Sequence, residues 1–329
     1  MSRNLSMAVM GFGGMGRHHA RNFSQMEGVH FAGIVDPLLG ARESAESHGY
    51  KAFASIEELL KSPLDGAVVS VPTAAHYAVA GELIDAGIAV LVEKPIASSI
   101  EQGLDLIVRS RRRGLPFMVG YVERFNPAVL AAQRLILDGL VGDPLQVITR
   151  RVGPVQPRVK DVNVIIDMGV HDIDIISFLL QKSVTLISAQ GGMAKAPDRI
   201  DYASLTLDAE GIVANAITNW VTPVKIRDLS ITGSAGYIQV DYLQQQTSFA
   251  PGRDFVVTES YEEILAQYAA GTLIEYPIVR QEPLLLQLEK FVDAVGGGDY
   301  PDPELALGSL RIALEATEMI ARKLRISVA

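Results

Sequence analysis

The sequence predicts a doubly wound parallel α/β sheet followed by an α+β domain with a large, mainly antiparallel open sheet. Three observations carry this. The chain has 329 residues, enough for about two domains of 100–200 residues. Up to Gly120, short apolar runs alternate with segments of helical periodicity, the β-α-β grammar of a parallel sheet covered on both faces. Beyond it, apolar runs follow one another with polar residues interleaved, as expected of a sheet covered on one face.

In order, strands are expected at Leu5–Met10, His30–Val35, Gly66–Val71, Ala89–Val92 and Phe117–Val119. The intervening helices are Gly14–Met26, Gly40–His48, Ile56–Lys61, Ala75–Ala86 and Ile100–Arg113, from their apolar spacing. The later part should hold a helix at Pro127–Gly139, a strand at Leu145–Val152 and a helix at Asp167–Leu180. Strands are then expected at Val184–Ala189, Asp201–Leu207, Ile212–Trp220, Asp228–Gly233 and Ile238–Tyr242. Helices return at Pro283–Val295 and Glu304–Arg325, the second after prolines that suit a helix start. The expected division is 1–121 and 122–329, with helix 304–325 packing back on the first domain. Gly296–Gly298 is a joint within a domain.

Hydrophobic residues make up 48% and the net charge is −9. Such a chain can bury a core, and its mean field repels phosphate polymers and anionic membranes. No nucleic-acid or membrane partner is expected. The absence of cysteine removes disulfides, thiolate metal sites and Cys nucleophiles, and it suits a reducing cytoplasm. No apolar run reaches the ~18 residues needed to span a bilayer, and Leu5–Val9 reads as a strand, not a signal peptide.

Gly11-Phe12-Gly13-Gly14-Met15-Gly16 fits the G-x-G-x-x-G pattern between a strand and a helix, the setting in which it binds a dinucleotide (Rossmann) pyrophosphate. The first glycine permits the turn, the second lets backbone approach the phosphates and the third allows helix–strand packing. Asp36 ends the second strand, where a carboxylate holds the adenosine ribose and repels a 2′-phosphate. Arg42 is the nearest base. NAD is therefore expected over NADP.

Glu93-Lys94-Pro95 follows the strand Ala89–Val92, at the edge where open α/β sheets bind ligands. Seen alone it could be a surface ion pair and a turn. With Val71-Pro72-Thr73-Ala74-Ala75-His76, a proline turn with a following His, it resembles the glucose–fructose oxidoreductase, inositol dehydrogenase and MocA family of sugar oxidoreductases. The resemblance covers the whole chain. It implies that Lys94 lies in the catalytic centre, that Glu93 and Pro95 shape the nicotinamide pocket, and that Val71, Pro72, Thr73 and His76 line the cofactor loop. It also implies a homodimer or homotetramer.

Asp167-Met168-Gly169-Val170-His171-Asp172-Ile173-Asp174 puts Asp167 and His171 four apart, on one face of a regular helix. A capped structural His and an Asp–His–Asp metal site are rival readings, although oxygen-rich sites recruit more ligands. The family pattern Asp-x-x-x-His favours catalysis, with His171 as base and Asp167 orienting it. No metal is expected.

Gly120-Tyr121-Val122-Glu123-Arg124-Phe125-Asn126-Pro127 resembles a segment of the family branch that oxidises UDP-N-acetylglucosamine at its 3-hydroxyl. Tyr121, Arg124 and Asn126 become candidate substrate contacts, as does Trp220 by position. Arg150, Arg151, Arg158 and Lys160 form a basic patch that could hold a diphosphate or protect a strand edge. Arg111-Arg112-Arg113 suits a helix C-terminus and is given no function. The expected function is NAD-dependent oxidation of a sugar hydroxyl, with an inositol or simple-sugar dehydrogenase as alternative. A non-catalytic NAD-sensing regulator is the reading of another class.

Overall fold

The computed structural model describes residues 4–154, 162–196, 198–252, 260–263 and 272–326. The chain forms two compact units, Met1–Val122 with Glu282–Leu310, and Glu123–Gln281 with Arg311–Ala329.

In the first unit, β1 (Leu5–Met10), β2 (Val29–Val35), β3 (Ala52–Phe53), β4 (Gly66–Val69), β5 (Ala89–Glu93) and β6 (Phe117–Gly120) form one parallel sheet in the order 3-2-1-4-5-6. This is the doubly wound Rossmann order, with its switch point between β1 and β4. β4 and β5 are buried at every position, as helices on both faces require. The helices are α1 (Gly14–Gln25), α2 (Leu39–Ser47), α3 (Ile56–Leu59), α4 (Thr73–Asp85) and α5 (Ile100–Arg112). Ser99 caps α5, its side chain accepting from Gln102 N, and three arginines crowd the last turn, where cations meet the negative end of the helix dipole. The two-residue β3 is too short for a periodicity to reveal it.

Residues far along the chain complete this unit. Helix α8 (Pro283–Val295) is packed against α1 and buries Leu288 and Phe291 fully. Asn22 Nδ2 donates to Glu282 Oε1 at 3.1 Å. Leu307, at the start of the last helix, lies so close to Gly103 that a Cβ there would meet it at 2.6 Å.

The second unit holds an eight-stranded sheet. Its strands are β7 (Pro144–Val152), β8 (Thr185–Gly192), β9 (Tyr202–Ala209), β10 (Ile212–Asn219), β11 (Ile226–Gly233), β12 (Gly236–Asp241), β13 (Gln246–Pro251) and β14 (Ile274–Tyr276). The order is 14-13-12-11-7-10-9-8, antiparallel except for the β7–β10 pair. β13 and β14 were not expected; both are edge-side strands rich in polar residues, without a clean apolar alternation. Helices α6 (Pro127–Leu137) and α7 (Val170–Leu180) pack on the sheet. A single long helix, α9 (Glu304–Leu324), contributes its later turns here, where Lys323 Nζ donates to Ala189 O at 2.9 Å. No helix among the described residues is long and apolar enough to cross a membrane.

Candidate active site

In the first unit the glycine loop is shaped by close approach. Gly11 has φ +91° and its N–H donates to Val35 O at 2.7 Å. A Cβ on Gly16 would lie 2.0 Å from Gly11 O, whereas one on Gly13 would meet nothing within 4 Å. Helix α1 starts at this point with no side-chain cap, so its leading amides remain available to an anion. Asp36, at the end of β2, accepts from Phe12 N and Leu38 N, each at 2.9 Å. Two bases flank it. Arg42 Nη1 donates to Asp36 O and Pro37 O at 2.8 Å, and the Arg17 guanidinium lies 4.9 Å from the centroid of the Phe12 ring. An uncapped helix start, an open cradle at Gly13 and a carboxylate beyond β2 fit a dinucleotide.

Lys94 follows β5, and both of its neighbours are anchored. Glu93 is buried, and His19 Nε2, on α1, donates to its Oε1 at 2.7 Å. Burial pushes the Glu93 carboxyl up, but the His19 bond and the charges of His19, Lys94 and His76 outweigh it and hold the group below the usual carboxylate range. On the other side, the Lys94–Pro95 peptide is cis. His76, on α4, puts Nδ1 2.8 Å from Pro95 O and Nε2 3.0 Å from Val71 O. Burial holds the His76 imidazole below its ordinary value, and a neutral ring donates to one of these carbonyls at a time. His76 therefore joins the loops after β4 and β5, with both nitrogens turned to backbone.

The second unit carries His171 in the first turn of α7, and Asp167 just before it in a π-helical turn, Ile165–Gly169. The expected regular helix from Asp167 is thus replaced by a wider turn, so α-helical spacing does not describe this pair. Asn163 starts the turn, its Oδ1 accepting from Ile165 N at 2.9 Å and Ile166 N at 3.2 Å. Such turns are frequent at functional sites.

Buried ion pairs fix the helix immediately after His171. Arg151 on β7 donates from Nε to Asp172 Oδ1 at 3.0 Å and from Nη1 to Glu123 Oε1 at 2.8 Å. The Tyr242 ring lies 5.1 Å from the Arg151 guanidinium. Arg124 forks onto Asp174, with Nε donating to Oδ2 at 2.7 Å.

A model of the family described as "Oxidoreductase family, NAD-binding Rossmann fold" matches residues 5–121, and one described as "GFO/IDH/MocA C-terminal domain" matches 129–239. The UDP-N-acetylglucosamine 3-dehydrogenase of Acidithiobacillus ferrooxidans is 31% identical over 303 residues, covering 89% of each chain.

The chain belongs to the Gfo/Idh/MocA oxidoreductase family.

The scyllo-inositol 2-dehydrogenase (NAD(+)) of Bacillus subtilis is 29% identical over 320 residues, covering 92% of this chain and 89% of the relative. A solved structure of the A. ferrooxidans UDP-N-acetylglucosamine 3-dehydrogenase superposes with a TM-score of 0.84 at 26% identity, over 98% of this chain and 99% of that one.

Several residues expected to meet substrate have other work in this Gfo/Idh/MocA chain. Arg150 and Arg151 do not share a patch, because a strand sends successive side chains to opposite faces. Arg150 is exposed and pairs with Asp228, while Arg151 is 1% exposed and committed to two carboxylates. Arg158 and Lys160 lie outside the described residues. Arg124 is buried against Asp174. Asn126 caps α6, its Oδ1 accepting from Ala128 N at 3.1 Å, and its Nδ2 donates to Glu123 Oε2 and Tyr242 O. Tyr121 and Trp220 are buried. The sequence reading missed His19, whose carboxylate partner is far along the chain, and Arg227, which stands opposite Arg151 in the β11–β7 register.

Proposed function

We propose that this oxidoreductase uses NAD+ to oxidise a sugar hydroxyl to a ketone, and that its substrate is UDP-N-acetylglucosamine, oxidised at the 3-hydroxyl. The observation that carries this reading is the 31% identity to a UDP-N-acetylglucosamine 3-dehydrogenase over 89% of both chains. Gly11, Phe12, Gly13, Gly14, Met15 and Gly16 would hold the pyrophosphate, Asp36 the adenosine ribose, and the Val71–Thr73 and Glu93–Pro95 loops the nicotinamide end. Bound NAD+ supplies the hydride acceptor. His171 takes the hydroxyl proton, and Asp167 orients the imidazole and stabilises its charged form. The Lys94 ammonium would stabilise the negative charge that develops on a reacting oxygen. Anchoring Glu93 to His19 and Pro95 to His76 limits how far the Lys94 backbone can move, as a fixed electrostatic group requires.

The fixed Asp36 carboxylate supports NAD over NADP, while Arg17 and Arg42 set how strong that preference is. The open face of the second sheet exposes Ile148, Tyr202, Val213 and Ile217, which supports pairing of copies into a homodimer or homotetramer. The cysteine-free composition supports a cytoplasmic setting.

NADH formation from UDP-N-acetylglucosamine, myo-inositol, scyllo-inositol and free N-acetylglucosamine, with NAD+ and NADP+ compared, tests the reading. Turnover of the nucleotide sugar with NAD+ is expected. Turnover of inositols alone overturns the substrate assignment in favour of the other close relative, and no reduction with any of them favours a sensing role. Light scattering of wild type against an Ile148→Lys/Ile217→Lys variant tests the assembly.

A further inference from the structure

We propose that Arg227, with Lys225 beside it, holds the phosphate groups of a nucleotide-sugar substrate in the second unit. This rests on the nucleotide-sugar reading and moves the anion site away from Arg150 and Arg151.

Arg150 projects from the opposite face of β7 and is paired with Asp228. Arg151 is enclosed, its guanidinium already divided between Glu123 and Asp172. Arg227 is different. It stands directly across from Arg151 in the strand register, yet its side chain remains 30% exposed and its Nη1 reaches Glu123 only at 3.6 Å. Its Nε is buried without a hydrogen-bond partner among the described residues. Among the described residues Arg151 also keeps one unpartnered nitrogen, Nη2, but it is enclosed; the part of the Arg227 guanidinium that is open to solvent can take a contact from an anion without breaking an existing hydrogen bond.

Location and charge agree. Arg227 interacts electrostatically with Asp167, Asp172 and Glu123, so it lies at the end of the unit that carries the His171 turn. Lys225 is two residues away, just before β11, and the backbone of Gly153 packs closely against it, a Cβ there falling 3.3 Å from Lys225 Cα. The Arg227 charge, then burial, hold the Lys225 ammonium below its ordinary range. Burial and the Arg151 charge do the same to Arg227. Lys225 and Arg227 are thus close enough to act on one another, and both keep part of their side chains open to solvent. A diphosphate can pair with these two exposed cations; a neutral polyol cannot.

The test measures binding of UDP and NAD+ by calorimetry, and KM for UDP-N-acetylglucosamine, in wild type, Arg227→Gln, Arg227→Lys and Lys225→Gln. Arg227→Gln should weaken UDP about tenfold or more, the effect of losing hydrogen bonds to a charged group. Lys225→Gln should weaken it less, Arg227→Lys should recover part of the loss, and NAD+ affinity should not change. Added salt should narrow the differences. Wild-type protein that does not bind UDP overturns the proposal, as does equal UDP affinity in wild type and both glutamine variants. Lys225→Gln, at a more exposed position, decides the matter if Arg227→Gln does not fold. The two readings fail separately. Arg227-dependent UDP binding without any turnover of nucleotide sugar keeps this site and removes the redox assignment. Turnover with KM unchanged in the variants does the reverse.

Discussion

Arg124 and Asp174 face each other as a forked, buried ion pair, with side chains 7% and 1% exposed, joining the turn before α6 to the helix that carries His171. Removing one partner strands a charge in a low-dielectric interior. Arg124→Met or Asp174→Asn should therefore cost about 3–5 kcal/mol, measured by urea unfolding. The double substitution should cost less than the sum of the singles, because it leaves no orphan charge. Additive losses would show that the pair is not coupled.

Burial pushes the Asp172 carboxyl up to about 6, against the pull of Arg151. A carboxyl whose folded pKa exceeds its unfolded value of about 4 adds stability that is complete below the lower value and lost as pH rises to the upper one. Relative to Asp172→Asn, wild type should therefore lose stability between about pH 4 and about pH 6 and level off above. Glu123, on the other side of Arg151, is also pushed up by burial but is held below the usual range by Arg151; it is present in both proteins and largely cancels. A flat difference across this range would refute the shift.

Gly13 and Gly16 separate cofactor binding from folding. Ala at position 16 must displace the Gly11 carbonyl, 2.0 Å from its Cβ, and should cost about 1–3 kcal/mol as an overpacked site does. Ala at position 13 meets open space and should leave the apo-protein Tm unchanged while weakening NAD+ binding, since its methyl enters the space proposed for the pyrophosphate. Unchanged NAD+ affinity in Gly13→Ala would remove that loop from the binding site.

Lys94→Ala should lower kcat about a hundredfold or more, the cost of losing one donor to a developing oxyanion, with NAD+ affinity within a few-fold of wild type. His171→Asn should lower kcat on a similar scale and abolish the acid limb of its pH profile. Turnover close to wild type in either variant would end the proposed chemistry.

The first unit was legible in the sequence because its signals are local. The Gly11–Gly16 spacing and the continuously apolar strands report on neighbours only a few residues away, Asp36 stands where a Rossmann second strand ends, and the structure has the expected Rossmann sheet. The second unit was legible in outline, as strands that alternate and helices that cap. What escaped depends on distant pairing. Nothing near His19 announces Glu93, 74 residues on. Nothing in the run from Asp167 distinguishes a π turn from an α turn. Arg150 and Arg151 were misread together, although a period of two was enough to separate them. Lys225 and Arg227 offered the signal that was overlooked: two cations two residues apart at the start of β11.

The first unit is closed by side chains translated long after its strands. Leu288, Phe291 and Leu307 enter its interior, so a nascent chain that has delivered all six parallel strands still lacks part of the wall that shields them. The dinucleotide cradle is thus finished only after Leu307 has left the ribosome, and a fragment ending at Val122 would expose a bare apolar flank to aggregation.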